Sequence, residues 1–179
     1  MNKFLYWLTG YLPARIISDG EAPYLERYYL FTLLGWRFYL HRFVGSDPDR
    51  GLHDHPWVRA FSIVLSGWYW EERRSGTHKV RWFNSLTGDT FHRVILPCPL
   101  DGRPFDNVMC GGPHHEPQTC WTLFFHRTGK AKEWGFLNDL PLSGGAQVFH
   151  PYRYTREGRQ TDWWLTAPPG RYVGRQANG

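Results

Sequence analysis

The sequence predicts a single all-β domain, built as a barrel of short strands with little helix. Aromatic residues make up 18% of the 179 residues and stand among Val, Ile and Thr, residue types that are enriched in strands. These runs are short and are broken by Gly and Pro, which end strands and form turns. A hydrophobic content of 41% over this length is ample for one core, so no second domain is required.

The strand signals follow one another from residue 24 onward. Gly35 separates the first two runs, which we expect to pair as a hairpin, and the run after Gly67 is expected to pair with the run before it. The strands are predicted at 24–34, 36–44, 59–65, 68–73, 79–83, 91–96, 119–127 and 131–137.

Three segments divide the predicted domain. Residues 1–23 form an N-terminal segment with a short helix, 24–137 form the barrel, and 138–179 form an irregular tail that wraps it. The stretch 97–118 is rich in Pro and Gly and exceeds an ordinary hairpin connection, so it is a candidate lid. The residues that would act in this lid are His114, His115 and Glu116.

Charge and cysteine content limit the partners and the compartment. The net charge is +5, but Lys and Arg are scattered among acidic residues, so no nucleic-acid partner is favoured. Cys98, Cys110 and Cys120 form no Cys-x-x-Cys pair, which indicates neither a disulfide framework nor a zinc knuckle and fits a reducing cytoplasm. The apolar N-terminal stretch is too short to span a membrane, and no membrane partner is expected.

The most informative motif is His53-Asp54-His55, at the start of a predicted strand. Side chains on a strand repeat every second residue, so the two histidines are expected on one side, where they can share a ligand. His92 follows a Gly-containing turn that leads into another strand, and antiparallel pairing would bring it beside them. Three neutral imidazoles leave coordination positions open, which suits a catalytic ion better than a structural one.

These residues resemble the two metal-binding motifs of the cupin superfamily, through His53-Asp54-His55, the apolar strand that ends at Gly67, and the Gly88–His92 pair. The resemblance covers the middle of the chain. It is closer still to cupin-like proteins that carry an His-Asp-His-Pro-Trp stretch. It implies a cupin-like double-stranded β-helix, or jelly-roll barrel, that holds one divalent metal ion at His53, His55 and His92.

One position departs from the family pattern. Cupins usually supply a glutamate between the second histidine and the closing glycine, and Ala60 stands there in this chain. A three-histidine site without a carboxylate resembles that of thiol dioxygenases and related cupin oxygenases, in which substrate and dioxygen take the vacant positions on iron. The resemblance therefore implies Fe(II) first and zinc as the alternative.

Five further residues are candidates for substrate binding. Trp57 stands beside the ligands as a possible pocket wall, and His41 is either a ligand, a partner of a ligand or a hydrogen-bonded barrel residue. The arginines of core strands would grip an anion if they faced inward, although strand arginines usually face water. These arginines are Arg59, Arg93 and Arg127.

Residues near the motif have competing interpretations. Asp54 is expected to cap a turn or to accept a backbone hydrogen bond, although a carboxylate there could also orient an imidazole. Tyr39 and Cys120 could serve oxygenase chemistry, but no sequence feature places them near the histidines.

The sequence leaves three functions open. The first is a mononuclear iron oxidoreductase of the dioxygenase type that acts on a small polar or anionic metabolite. The second is a zinc-dependent hydrolase, lyase or isomerase at the same histidines. The third is a module that binds a small molecule without catalysis. A homodimer is expected from exposed strand edges.

Overall fold

Two six-stranded antiparallel sheets make up most of the described structure. The computed structural model describes residues 1–20, 22–105, 117–129, 132–140, 146–153 and 162–177. The helix and the strands are α1 (Asn2–Thr9), β1 (Ala14–Asp19), β2 (Ala22–Leu33), β3 (Trp36–Phe43), β4 (Leu52–His53), β5 (Arg59–Ser66), β6 (Tyr69–Arg73), β7 (Gly76–Val80), β8 (Phe83–Thr87), β9 (His92–Ile95), β10 (Cys120–Arg127), β11 (Gly135–Asp139) and β12 (Gln147–Pro151). Two short 3-10 turns follow at Trp163–Leu165 and Gly170–Tyr172.

The strand order shows how the chain alternates between the sheets. The first sheet runs β1-β2-β3-β10-β5-β8 and the second runs β12-β11-β4-β9-β6-β7. The chain changes sheets between β3 and β4, and again at every later step except those from β6 to β7 and from β11 to β12. Repeated crossing between two antiparallel sheets defines a jelly roll. The predicted all-β jelly-roll barrel with a short N-terminal helix is therefore confirmed.

The pairing of neighbouring strands matches the sequence in one case and differs in another. The β2–β3 hairpin forms as predicted and turns at Leu34 and Gly35, which both have a positive φ. The predicted hairpin of 59–65 with 68–73 is wrong, because β5 pairs with β8 and β10 while β6 pairs with β7 and β9. Gly67, with φ 78, turns the chain out of one sheet and into the other.

Several strand boundaries also differ from the prediction. The run predicted at 79–83 is divided between β7 and β8, because the chain bends at residues 81 and 82 and changes sheets. The strand predicted at 131–137 begins at Gly135. Three strands were missed. β1 lies in the N-terminal segment and pairs with β2, the two-residue β4 pairs with β9 and β11, and β12 lies in the tail and pairs with β11.

The first sheet has apolar contacts on both of its faces. Between the sheets, Leu25, Phe43, Val64 and other buried residues form one core cluster. On the outer face, α1 and the C-terminal segment pack on a second cluster that includes Tyr28 and Trp121, both fully buried. Both faces of β3 are therefore buried toward its C-terminal end. For this reason, the pattern of apolar residues in β3 did not show which of its faces points between the two sheets.

The remainder of this outer face carries aromatic rings that are half-buried or exposed. Phe31 contacts Phe38, which stacks on Phe125 at a centroid distance of 5.1 Å, and Phe61 stacks on Phe83 at 5.7 Å. Contiguous apolar surface of this kind often marks an interaction site. The homodimer expected from the sequence stays a prediction. No helix in the described ranges is long and apolar enough to cross a membrane.

A buried ion pair holds the C-terminal segment on the first sheet. Arg42 and Glu26 are cross-strand partners in β3 and β2, and both are at most 1% exposed. The Arg42 guanidinium lies 3.3 Å from Glu26 Oε2 and donates to the carbonyls of Gln176 and Ala177 at 2.8 Å each. The Gln176 amide and the Tyr28 hydroxyl donate to the Glu26 carboxylate at 2.8 and 2.7 Å.

The substitution Arg42→Met tests this ion pair. It keeps the side-chain volume but leaves the Glu26 carboxylate buried without a counter-charge, so we expect the free energy of unfolding to fall by about 3–5 kcal/mol. Urea denaturation monitored by tryptophan fluorescence measures the loss. Arg59→Met, at an exposed site in β5, is the matched control and should change stability by less than about 0.5 kcal/mol. Equal effects of the two substitutions would contradict the proposed role of the pair.

Candidate metal centre

Three histidine rings meet on the inner side of the second sheet. The ring centroids of His53, His55 and His92 lie 4.8 to 5.0 Å from one another. The Nε2 atoms of His55 and His92 are 2.8 Å apart, and the candidate ligand atoms of all three residues lie within 4.8 Å of one another. The structure therefore brings together the three residues that the sequence predicted as metal ligands.

The three histidines occupy different positions relative to the strands. His53 ends β4 and is the cross-strand partner of His92, the first residue of β9. His55 lies beyond β4, in the connection to β5, so the two histidines do not start one continuous strand as the sequence suggested. The His55 ring stacks on Trp57 at a centroid distance of 3.9 Å, and this contact orients it toward the other two rings.

Close backbone contacts hold residues 51–57, here called the histidine loop, in place. A Cβ atom on Gly88 would lie 2.6 Å from the Trp57 carbonyl oxygen, and one on Gly51 would lie 2.4 Å from the Leu137 carbonyl oxygen. Gly51 also has φ 88, a conformation that favours glycine. Neighbouring backbone therefore packs directly against both ends of the loop, and only glycine allows so close an approach.

Asp54 anchors the middle of the same loop. Its side chain is 1% exposed and accepts hydrogen bonds from the Gly135 amide at 2.7 Å and from Lys132 Nζ at 2.5 Å. Its own amide donates to the Gly135 carbonyl at 3.1 Å. Asp54 thus accepts a backbone hydrogen bond, as one sequence interpretation expected, and ties the loop to β11. Lys132 also contacts Asp89, so these carboxylates are engaged outside the histidine cluster.

A buried carboxylate lies behind His92. Glu71, on β6, is fully buried and accepts a hydrogen bond from His92 Nδ1 at 2.7 Å. Asn84 Nδ2 and Arg73 Nε also donate to this carboxylate, each at 2.7 Å. Burial opposes ionisation of Glu71, but the hydrogen bonds from His92 and Asn84 and the charge of Arg73 outweigh it, so the pKa of Glu71 lies below its ordinary value.

This contact sets the tautomer of His92. An ionised carboxylate only accepts hydrogen bonds, so the proton of the His92 ring resides on Nδ1 and the lone pair of Nε2 points toward His55. A histidine that donates one ring nitrogen to a carboxylate and offers the other to a metal is the usual arrangement in metalloproteins. No local pattern distinguished Glu71 in the sequence, because it stands beside Glu72 in a run of charged residues.

Burial favours the neutral form of His53 and His55. Burial lowers the pKa of His53 and of His55 well below the usual 6.5, and the neighbouring histidines lower both further. Neutral imidazole is the form that binds a metal. Together with Nε2 of His92, which faces His55, these two rings could hold a divalent ion. Among the described residues, the group contains no carboxylate, and Ala60 is buried on β5.

The cluster forms part of the wall of a cavity of about 460 Å³. Aromatic side chains provide much of the remaining surface, including Trp57, Phe124 and Trp134. Trp134 stacks on Tyr152 at a centroid distance of 4.4 Å. Pockets of this size and lining bind small molecules.

The three arginines proposed from the sequence as substrate contacts lie outside this cavity. Arg59 is exposed, since it alternates with the buried Ala60 along β5. Arg93 faces away from His92 on β9 and pairs with Glu72 and Asp49. Arg127 is exposed and donates to the Leu34 carbonyl at 2.9 Å beside the β2–β3 turn. All three follow the usual tendency of strand arginines to face water, so the condition for gripping an anion inside this cavity is not met.

Three different arginines line the cavity instead, namely Arg15, Arg27 and Arg50. Sequence reasoning missed Arg15 because residues 14–19 were not recognised as a strand. It passed over Arg27 although alternation along β2 places this residue on the same side as Leu25, in the inner core. This alternation was the one sequence signal that could have placed Arg27 on the inner face of the sheet.

The remaining candidates occupy distinct places. His41 lines the cavity and accepts a hydrogen bond from Arg27 Nε at 3.0 Å, so it is a hydrogen-bonded barrel residue and not a member of the histidine cluster. Trp57 lines the cavity as predicted. Cys120 is buried in the core, where burial raises its pKa to about 12. Tyr39 is buried and stacks on His41 and on His126. The lid candidates His114, His115 and Glu116 lie outside the described residues.

Comparisons with known proteins give matches among solved structures only. No family model and no curated protein matches the sequence. The structure resembles a cupin-2 domain from Rhodospirillum rubrum, with 13% identity, 70% of this chain and 74% of the other covered, and a TM-score of 0.47. It also resembles a sugar phosphate isomerase from a cupin superfamily of Silicibacter pomeroyi, with 14% identity, coverage of 77% and 88%, and a TM-score of 0.48. A cupin 2 conserved barrel domain protein from Rhodopseudomonas palustris matches with 12% identity, coverage of 71% and 77%, and a TM-score of 0.47. The likeness is one of fold.

The substitution Glu71→Gln tests the carboxylate behind His92. A glutamine oxygen can still accept from His92, but its amide group would then face the donors of Asn84 or Arg73. We expect zinc affinity, measured by competition with a chelating dye, to fall about 10- to 100-fold. Glu72→Gln, on the opposite side of β6, is the control and should leave the affinity unchanged. Equal affinities in the two variants would contradict a role for Glu71 in holding His92.

Acid should destabilise the fold through buried histidines that are not in the cluster. Burial lowers the pKa of His126 from 6.5 to about 4, so below pH 6.5 the unfolded chain binds a proton that the folded chain does not. The free energy of unfolding should therefore fall between pH 6.5 and 4, by about 3 kcal/mol for this residue. His126→Phe keeps the stacking and should remove that part of the pH dependence in denaturant titrations, whereas His150→Phe, at an exposed site, should not. An identical pH profile in the His126→Phe variant would contradict the assignment.

Proposed function

We propose that this protein is a metal-dependent oxidoreductase that holds one iron(II) ion at His53, His55 and His92 and oxidises a small anionic metabolite with dioxygen. The observation that carries the proposal is the triangle of three histidine rings on the wall of a cavity, with Glu71 fixing the tautomer of His92. Iron(II) in such a site would bind substrate and dioxygen together at the positions that the protein leaves open.

The protein's own residues supply orientation and shielding. Glu71 keeps the proton of His92 on Nδ1, and Trp57 restrains the His55 ring by stacking. Trp57 and Phe124, whose ring centroids are 5.4 Å apart, form an apolar wall beside the cluster that excludes water from the reacting groups. The three arginines of the cavity favour an anionic substrate over a neutral one.

Zinc at the same histidines is the second candidate. Three neutral imidazoles also suit zinc, which would lower the pKa of a bound water for hydrolysis, lyase or isomerase chemistry. A third candidate is a module that binds a small molecule without catalysis, with the histidines serving only in the structure. The metal content of protein purified without oxygen and without chelator separates iron, zinc and no metal.

The metal site itself is tested with His55→Ala. This variant removes one of three ligands, so we expect bound metal, measured by elemental analysis, to fall from about one equivalent to less than a tenth. The melting temperature of the metal-free protein should change little, because the ring lies on a cavity wall. The exposed His150→Ala variant is the control and should bind metal as the wild type does. Full metal content in His55→Ala would refute the three-histidine site.

Oxygen consumption tests the reaction. Iron-loaded protein should consume dioxygen when the correct metabolite is added from a panel of amino acids, thiols and sugar acids, and His53→Ala should abolish this consumption. The electrode measurement is repeated with zinc-loaded protein, which should consume none. If the zinc-loaded form converts a metabolite by hydrolysis or isomerisation while the iron form is silent, the zinc assignment replaces the iron one.

A further inference from the structure

The helix α1 carries exposed aromatic rings on the face that it turns to solvent. We propose that this face, together with the 3-10 turn at Gly170–Tyr172, binds the surface of an anionic phospholipid membrane, with the helix lying in the membrane plane. None of the side chains involved lines the cavity. The inference is therefore independent of the metal centre and goes beyond the proposed function.

Both faces of α1 are apolar. On the inward face, Leu5 is buried in the core cluster beneath the helix. On the outward face, Phe4 and Trp7 lie about one turn apart and are 57% and 58% exposed. A surface helix normally presents polar or charged residues to solvent. The inward face already supplies the contact with the sheet, so the outward rings are free to bind a partner.

The exposed rings form one continuous surface, here called the aromatic patch. Phe4 contacts Trp7 at a centroid distance of 6.1 Å, and Trp7 contacts Tyr11 edge to face at 5.4 Å. The Arg171 guanidinium lies 4.4 Å from the ring centroid of Tyr11 and 5.3 Å from that of Tyr172. Each of the four rings is more than half exposed. The patch thus extends without a break from the helix onto the 3-10 turn.

The charge within and beside the patch is positive. Lys3 is next to Phe4 on α1, Arg171 lies against two of the rings, and both basic side chains are exposed. Residues 1–18 and 163–179 contain no Asp or Glu. Among the described residues, neither Lys3 nor Arg171 takes part in an ion pair. Exposed aromatic rings and unneutralised positive charge therefore occur on the same surface.

This combination matches the headgroup region of an anionic membrane. Trp and Tyr rings are enriched at that level because they join an apolar body to a polar tip, and basic side chains are attracted to anionic headgroups. Helices that lie in the membrane plane carry aromatic residues and basic residues in this way. The sequence-based expectation of no membrane partner concerned a spanning segment, which such a helix does not require.

A second copy of the chain fits the patch less well. In a twofold dimer the same surface of both subunits meets itself. The positive charges of Lys3 and Arg171 would then lie opposite identical charges, with no acidic residue of the two segments to separate them. Charge complementarity therefore favours an anionic lipid surface over self-association.

Vesicle sedimentation tests the proposal. Purified protein is mixed with vesicles of equal parts phosphatidylcholine and phosphatidylserine, and the bound fraction is measured after centrifugation. We expect binding at low ionic strength that weakens as sodium chloride is added, because salt screens the attraction between charges. Binding to vesicles of phosphatidylcholine alone should be about tenfold weaker.

Matched variants locate the binding surface. Trp7→Ser and Arg171→Glu should each weaken binding to the anionic vesicles about tenfold. The controls are Phe31→Ser, at an exposed ring on the outer face of the first sheet, and Arg59→Glu, at the exposed site on β5. Both controls should bind as the wild type does. All four variants should keep the wild-type melting temperature, since the changed side chains are exposed, and this excludes misfolding as the cause of a loss.

Fluorescence quenching shows whether the helix enters the lipid. Lipid brominated on its acyl chains should quench the tryptophan fluorescence of the wild type, and Trp7→Phe should lose this quenching while still binding the vesicles. No binding by the wild type, or equal binding by all variants, would overturn the proposal. A concentration-dependent dimer that Trp7→Ser abolishes would assign the patch to a second copy and would also overturn it. Salt-independent binding to neutral vesicles would overturn the requirement for anionic lipid.

Discussion

The buried carboxylate of Glu71 connects the two sheets and the histidine cluster. Its hydrogen-bond donors come from β6, from β9 and from Asn84 on β8, which belongs to the other sheet. A charge removed from water is costly unless hydrogen bonds and opposite charges surround it. The positions of these strands are therefore coupled, because any arrangement that separates Asn84, Arg73 or His92 from Glu71 leaves that cost uncompensated.

The sequence predicted the features that depend on neighbouring residues. Alternation of side chains located β2, β3, β5, β9 and β10 to within a few residues, and the spacing of His53 and His55 with a third histidine at His92 identified the cluster. The β2–β3 turn followed from Gly35. These features are determined within a few residues of backbone, so local patterns contain the information that specifies them.

Features that depend on distant parts of the chain could not be predicted in this way. The alternation of side chains along a strand predicts that Arg59 and Ala60 point in opposite directions. It does not predict which of the two faces the other sheet. That choice depends on what covers each face, and here α1 and the C-terminal segment cover part of the outside of the first sheet. The same limitation hid Arg15, whose strand is recognisable only once it pairs with β2.

The glycine contacts of the histidine loop determine how the cluster would respond to different ions. Because backbone packs against Gly51 and Gly88 at both ends, and Asp54 fixes the centre, the loop has little freedom to expand or contract around an ion. A preorganised site loses little conformational entropy when it binds. Discrimination among divalent metals would then follow ionic radius and preferred coordination geometry, and not the general affinity order that flexible ligands obey.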